Sequence, residues 1–202
     1  MEITTAPHSI SYLDSNNYKK CVEVSQQGFG ITKSTNKNNF ISTFGMSSCI
    51  GIVGYSYECK LAFILHLDNP KMICDANMGN IYYRIKKEMI EKNSIGIEFN
   101  TQLFGGFQMY RQEFVDYIYS QFNRYNRFYD KPDCTIKINI TKNNIGTTFN
   151  SSSICIDTNN GRLYKFDGRK SRLSDAELKI HEMHIIANTH NIKPRLIINN
   201  SC

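Results

Sequence analysis

Residues 42–70 read STFGMSSCIGIVGYSYECKLAFILHLDNP, with two apolar runs on either side of the polar pair Tyr57–Glu58. Short apolar runs bounded by turn residues predict two buried β-strands, here joined as an antiparallel hairpin. A hairpin centred between Tyr57 and Glu58 places Cys49 directly opposite His66. Directly paired residues share one face of a sheet, with Cβ atoms roughly 4.5–5.5 Å apart. The stretch therefore predicts a thiol and an imidazole that can act as nucleophile and base.

Small and polar residues surround the predicted pair. Ser47 and Ser48 form a hydroxylic turn before the cysteine, which leaves room for a substrate and offers backbone N–H donors for an oxyanion. Thr43 lies upstream across a short glycine turn, where its hydroxyl could reach the imidazole or a substrate carbonyl. Asp68 lies two residues beyond the histidine on the same face, so it is an alternative group for orienting the ring.

A double glycine, Gly105-Gly106, ends another predicted strand and marks either a close backbone approach at a site or a tight turn. The other cysteines have no histidine predicted beside them, so we interpret them as structural. The predicted catalytic residues are Cys49, His66 and Thr43. The predicted substrate-binding residues are Ser47, Ser48, Asp68, Gly105 and Gly106.

The rest of the chain mixes strand and helix patterns, after a polar and loose lead-in over residues 1–19 and with a loop over residues 27–40. Predicted strands cover 21–25, 41–43, 95–104, 135–140, 153–157, 162–166 and 195–198, and predicted helices cover 75–91, 109–125 and 174–188. Asn159-Asn160-Gly161 is a hairpin signal, because Asn and Gly tolerate positive φ. This order predicts one α/β domain over residues 1–202, a single layered fold in which helices pack on a mixed sheet.

Composition narrows the function classes. The 202 residues carry a net charge of +6 with the basic residues dispersed, so we expect neither nucleic-acid binding nor a membrane partner. The N-terminus lacks an apolar stretch of signal-peptide length, and the seven cysteines show no framework spacing, which together predict a soluble protein with free thiols. His181 and His184 lack a third ligand in the sequence around them. We therefore predict no metal and no cofactor, and we expect a monomer.

The segment TFGMSSCIGIVGY…LAFILH resembles the core of the CheD family of chemoreceptor glutamine deamidases. In that family a threonine, a small-residue turn ending in Ser-Cys, and a later histidine form the site, and they match Thr43, Cys49 and His66 here. LFGGFQMY (103–110) is similar to the double-glycine strand end of the family. The segment NNGRLYKFD (159–167) resembles the CheD family more weakly. The overlapping segment GRLYKFDGR also resembles protein N-terminal asparagine amidohydrolase, a relative of that family. The resemblance covers roughly residues 40–170 and implies a CheD-like α/β sandwich.

The resemblance implies a cysteine-dependent protein deamidase that converts glutamine to glutamate in a protein substrate through a thioester. We expect His66 to hold Cys49 as a thiolate by lowering its pKa, with Thr43 or Asp68 orienting the ring. N-terminal asparagine amidohydrolysis, transglutamination, and a basic module that binds nucleic acid or protein stay open as alternatives. Action in the cytoplasm of its own cell and delivery into a host cell, as a bacterial effector, also both stay open.

Overall fold

The computed structural model describes residues 10–90, 94–106, 112–145 and 153–172, together with the backbone of residues 195–196. Two α-helices are present in this part of the chain: α1 (Asp75–Ile90) and α2 (Gln112–Phe128). The strands are β1 (Cys21–Val24), β2 (Gly28–Lys33), β3 (Phe40–Thr43), β4 (Ile50–Ser56), β5 (Leu61–Leu67), β6 (Gly96–Gly105), β7 (Asp130–Lys131), β8 (Cys134–Asn143), β9 (Ile154–Asp157), β10 (Leu163–Lys165) and β11 (Arg195–Leu196).

The strands form two mixed sheets, and the predicted α/β class is confirmed. A seven-stranded sheet has the order β11-β2-β5-β4-β6-β8-β7, and a four-stranded sheet has the order β1-β3-β9-β10. The chain pattern alone predicted a single sheet. Both sheets mix parallel and antiparallel neighbours: β6 and β8 are parallel, as are β1 and β3, while the β4–β5 hairpin is antiparallel.

Three apolar clusters define the layers. One lies between the large sheet and the helices, where the α1 residues expected to face inward are buried: Met78, Ile81, Ile85 and Met89. A second lies between the two sheets and includes Val24, Ile41, Val53 and Cys49. The third covers the outer face of the small sheet, with Tyr18 and Phe166 in it. Fully burying side chains of this size stabilises a fold by roughly 1.5–3 kcal/mol each. The thiol predicted as the nucleophile thus belongs to the core between the sheets.

The hairpin 50–67 forms as predicted, with every residue of both strands buried, but its register differs by two residues. The polar turn spans residues 57–60, with Lys60 in the left-handed region at φ +48°, and is longer than the two-residue turn we expected. Pairing is therefore centred between Glu58 and Cys59, and Gly51, not Cys49, lies opposite His66. A shift of two residues keeps each side chain on its predicted face, so Cys49 and His66 still share one face.

Residues 27–40 were predicted as a loop, and this prediction is wrong, since Gly28–Lys33 is strand β2. The glycines that suggested a loop have a packing role there. A Cβ on Gly30 would lie 2.6 Å from Val24 Cγ2 and 3.1 Å from Ile41 Cδ1, so only glycine lets the two sheets approach this closely.

Other boundaries differ locally from the predictions. Ser15–Lys20 is a 3-10 turn and Tyr18 is buried, which corrects the expected loose lead-in over this part of residues 1–19. In the 158–161 turn only Gly161 has positive φ, at +74°, so neither asparagine takes the left-handed conformation. The backbone of residues 195–196 pairs with β2 at the sheet edge, in agreement with the predicted edge strand.

The predicted helix 174–188, with His181 and His184, lies outside the described residues. Neither α1 nor α2 combines the length and the apolar run needed to cross a bilayer.

Candidate active site

Cys49 lies at the end of a surface loop, immediately before β4. Its side chain is 4% exposed in the core between the sheets, while the adjacent Ser47 and Ser48 are exposed. The loop therefore presents two hydroxyl residues to solvent and holds the thiol just beneath them. This is the small polar turn that the sequence predicted.

Gly51 lies between the two predicted catalytic residues on the shared face of the hairpin. It pairs directly with His66, so Cys49 is a diagonal neighbour of the histidine and lies farther away than the expected direct pair. The side chain of Met46 covers this position: a Cβ built on Gly51 would lie 2.1 Å from Met46 Sδ. Met46 is fully buried, and nothing in the sequence pattern singled it out.

Thr43 fixes the histidine ring. Its Oγ1 lies 2.8 Å from His66 Nδ1 and donates a hydrogen bond to the carbonyl oxygen of Val24 at 2.7 Å. A threonine hydroxyl has a single proton, and the carbonyl can only accept, so the proton between Thr43 and His66 belongs to Nδ1. In the neutral ring the lone pair is then on Nε2, a buried atom of a side chain on the hairpin face that Cys49 shares. Thr43 thus selects the tautomer in which Nε2 carries the lone pair and can accept a proton.

Asp68 has different partners. Its Oδ2 accepts a hydrogen bond from Gln27 Nε2 at 2.6 Å, and its Oδ1 accepts one from Asn69 Nδ2 at 2.9 Å. Between the two groups proposed for orienting His66 Nδ1, it is Thr43 that contacts this atom. The carboxylate instead acts on the cysteine, because its charge is close enough to disfavour the thiolate.

Gly105 and Gly106 support the cysteine loop from behind. The N–H of Gly106 donates to the carbonyl oxygens of Cys49 at 2.9 Å and Met46 at 3.2 Å. Both glycines have positive φ, +86° and +71°, and a Cβ on Gly105 would lie 2.3 Å from the Cys49 oxygen. Only glycine adopts this backbone without cost and allows so close an approach. The contacts of this pair are therefore with the backbone of the loop that carries the thiol.

The pKa of the Cys49 thiol is raised to about 11, mainly by burial and further by the negative charge of Asp68, while a hydrogen bond from Ser48 opposes the rise. We expected a lowered pKa, and the direction is the opposite, because the sulfur lies in an apolar core. At neutral pH the resting group is a thiol. A thiolate can form here only if a nearby base takes the proton.

Sequence reasoning missed two further residues near the histidine, Gln27 and Val24. Val24 is the last residue of β1, inside the predicted strand 21–25, and Gln27 lies in the turn before β2, where residues from 27 onward were interpreted as a loop. Val24 accepts the Thr43 hydroxyl proton, and the backbone N–H of Gln27 donates to the His66 carbonyl at 2.9 Å. The positive φ of Gln27, +61°, has no signature in the sequence.

No family profile matches the chain. A search of curated proteins finds a "Probable chemoreceptor glutamine deamidase CheD" from Pyrococcus horikoshii, 31% identical over 80 residues. The match covers 36% of this chain and 49% of the relative, so the chain spans about half the length of the curated relative that it matches. This partial likeness supports a distant CheD-like relationship.

Among the described residues, no group of three or more His, Cys, Asp or Glu side chains is arranged so that it could hold a metal ion.

Proposed function

We propose that this protein is a cysteine-dependent deamidase that hydrolyses the side-chain carboxamide of glutamine in a protein substrate. The observation that carries the proposal is the chain of contacts Val24–Thr43–His66, which leaves Nε2 as the basic nitrogen on the face that Cys49 shares. A nucleophile, a base and a third group that orients the base are the parts that covalent amide hydrolysis requires. The partial likeness to a protein named as a glutamine deamidase supports the choice of substrate class.

The first half-reaction transfers the acyl group to sulfur. His66 Nε2 takes the proton of Cys49 as the sulfur attacks the amide carbon. The thiol, whose pKa is raised, therefore loses its proton during the attack and does not need to rest as a thiolate. Backbone N–H groups of the Ser47–Cys49 turn stabilise the oxyanion. The imidazolium then gives its proton to the leaving nitrogen, the C–N bond breaks, and ammonia departs from a thioester.

The second half-reaction uses water. His66 takes a proton from a water molecule, the resulting hydroxide attacks the thioester carbon, and the C–S bond breaks. The proton returns to the sulfur, and the product is a glutamate side chain. An amine in place of water would give a cross-linked product by the same route, so ammonia release alone does not define the reaction.

The test measures the mass of candidate substrates. A peptide with an internal glutamine, a peptide with N-terminal asparagine and a chemoreceptor domain are each incubated with the protein. We expect the internal glutamine to gain about one dalton as ammonia is released, through attack by the cysteine. Cys49→Ala should abolish the gain, and Cys59→Ala should keep it, since Cys59 is equally buried at 4% but lies in the helix-side core.

Two results would contradict the proposal. If Cys49→Ala retains the activity, the cysteine is not the nucleophile. If the asparagine peptide alone changes mass, the protein is an N-terminal amidohydrolase and the assigned substrate is wrong.

A further inference from the structure

The segment from Val24 to Gln27, which ends β1 and turns into β2, is linked to His66 at both of its ends, through Thr43 and directly. At its start, the carbonyl of Val24 accepts the Thr43 hydroxyl that holds the ring at Nδ1. At its end, the N–H of Gln27 donates to the main-chain carbonyl of His66 at 2.9 Å. The turn also joins the small sheet to the large one. It therefore fixes both the ring and the backbone of the histidine relative to the core in which Cys49 lies.

Gln27 has an unfavourable backbone conformation for a residue with a side chain. Its φ of +61° lies in the left-handed region, where Cβ crowds the following carbonyl and glycine is preferred. A glycine would make the same N–H contact with His66 without this cost. The conformation points to a use for the glutamine side chain, since such outliers persist where the surroundings require them.

Gln27 is 9% exposed, and its side chain is hydrogen-bonded to Asp68. Its Nε2 donates to Oδ2 at 2.6 Å, and the second carboxylate oxygen is held by Asn69. Both donors are neutral amides, so they fix the carboxylate without cancelling its charge. A charge left in place helps to keep the pKa of the Cys49 thiol raised, so the thiol holds its proton until a base takes it.

We propose that Gln27 is a positioning residue of the site, whose amide holds the Asp68 carboxylate and whose N–H holds the His66 backbone, so that both keep a fixed arrangement around Cys49. This role rests on the proposed function, because it acts through the histidine and the cysteine. The glutamine itself contacts no reacting atom.

The test follows the rate of ammonia release from a glutamine peptide, alongside the melting temperature. Gln27→Gly should keep or raise the melting temperature, because glycine adopts this φ freely, yet slow ammonia release about tenfold through a loosened site. Gln27→Glu places a second carboxylate beside that of Asp68, and the repulsion between the two charges should slow the reaction by at least about tenfold. Gln26→Glu makes the same chemical change one residue earlier, at a half-buried side chain, and should leave the rate within about twofold.

A reciprocal variant separates positioning from general damage. Gln27→Glu combined with Asp68→Asn restores one amide donor and one carboxylate acceptor with their positions exchanged. We expect this double variant to recover the rate to within about threefold of the wild type, as coupled neighbours do in a double-mutant cycle. A purely structural defect at position 27 would not be repaired by a second substitution at 68.

The outcomes distinguish the two proposals. A protein that releases ammonia at a rate unchanged by Gln27→Gly, or a double variant that fails to recover, overturns the role of Gln27 alone. A wild type that releases no ammonia from the glutamine peptide, or a Cys49→Ala protein that releases it as fast as the wild type, overturns the proposed function, and the role of Gln27 falls with it.

Discussion

Replacing Thr43 with valine removes one hydroxyl and keeps the shape of the side chain. The hydroxyl has two buried partners, the Val24 carbonyl and the Nδ1–H of His66, and the substitution leaves both without it. Each orphaned buried group costs about 1–3 kcal/mol, which places the loss of folding free energy at about 2–6 kcal/mol. The ring also loses the contact that selects its tautomer, so general-base catalysis worth about 10²–10⁴-fold in rate is at risk.

The assay for Thr43→Val is ammonia release from a glutamine peptide, with the free energy of unfolding measured in parallel. Thr43→Ser keeps the hydroxyl and should retain most of the activity. Thr101→Val is the matched control, because Thr101 is fully buried and its hydroxyl has no hydrogen-bond partner among the described residues. It should be neutral or stabilising, because valine removes a buried hydroxyl that has no partner there, and the variant should be fully active. A Thr43→Val protein that is folded and as active as the wild type would refute the assignment of Thr43 as the group that orients His66.

Four further outcomes are expected. The rate at which iodoacetamide alkylates Cys49 should rise with pH, with a midpoint near pH 11. Asp68→Asn should lower that midpoint, because the aspartate charge raises the pKa of the thiol. A wild-type midpoint near the ordinary value of 9 would contradict the burial of the sulfur. The raised pKa also means that Cys49 contributes to stability below its unfolded-state pKa of about 9, and that this contribution is lost as the pH rises from about 9 to 11. The free energy of unfolding of Cys49→Ala should therefore fall less steeply with pH in that range than that of the wild type. Gly106→Ala, at φ +71°, should cost about 1–3 kcal/mol and reduce activity with it, and unchanged activity would show that the loop does not depend on this glycine. Gly30→Ala, whose Cβ would meet Val24 Cγ2 at 2.6 Å, should cost about 1–3 kcal/mol in chemical denaturation, and no loss would contradict the close approach of the sheets.

The face of the hairpin could be predicted from the sequence, but its register could not. Periodicity places Cys49 and His66 on one face, and that survives because a shift of two residues preserves alternation. The number of residues in the turn sets the register, and this depends on Lys60 adopting a left-handed conformation that no propensity favours. The direct pairing was therefore wrong, while the shared face was right.

The groups around the histidine were harder to predict. Thr43 was proposed from its position across a short glycine turn and from the family resemblance, but strand periodicity could not establish its contact with His66, since that contact joins residues of two different sheets. Gln27 follows β1 in a stretch whose glycines suggested a loop, and in fact those glycines allow close packing of sheets. The direction of the Cys49 pKa shift was also wrong, because spacing alone does not reveal how deeply a thiol is buried.

The central claim is that Cys49 forms a thioester with a glutamine side chain. Its most direct test is to mix the protein with a glutamine peptide, quench with acid, and locate any covalent adduct by mass. The proposed function predicts an adduct on Cys49 that equals the peptide less one ammonia, and that is absent from Cys49→Ala and present in Cys59→Ala. Turnover of the peptide without such an adduct, or an adduct on another cysteine, would contradict the claim.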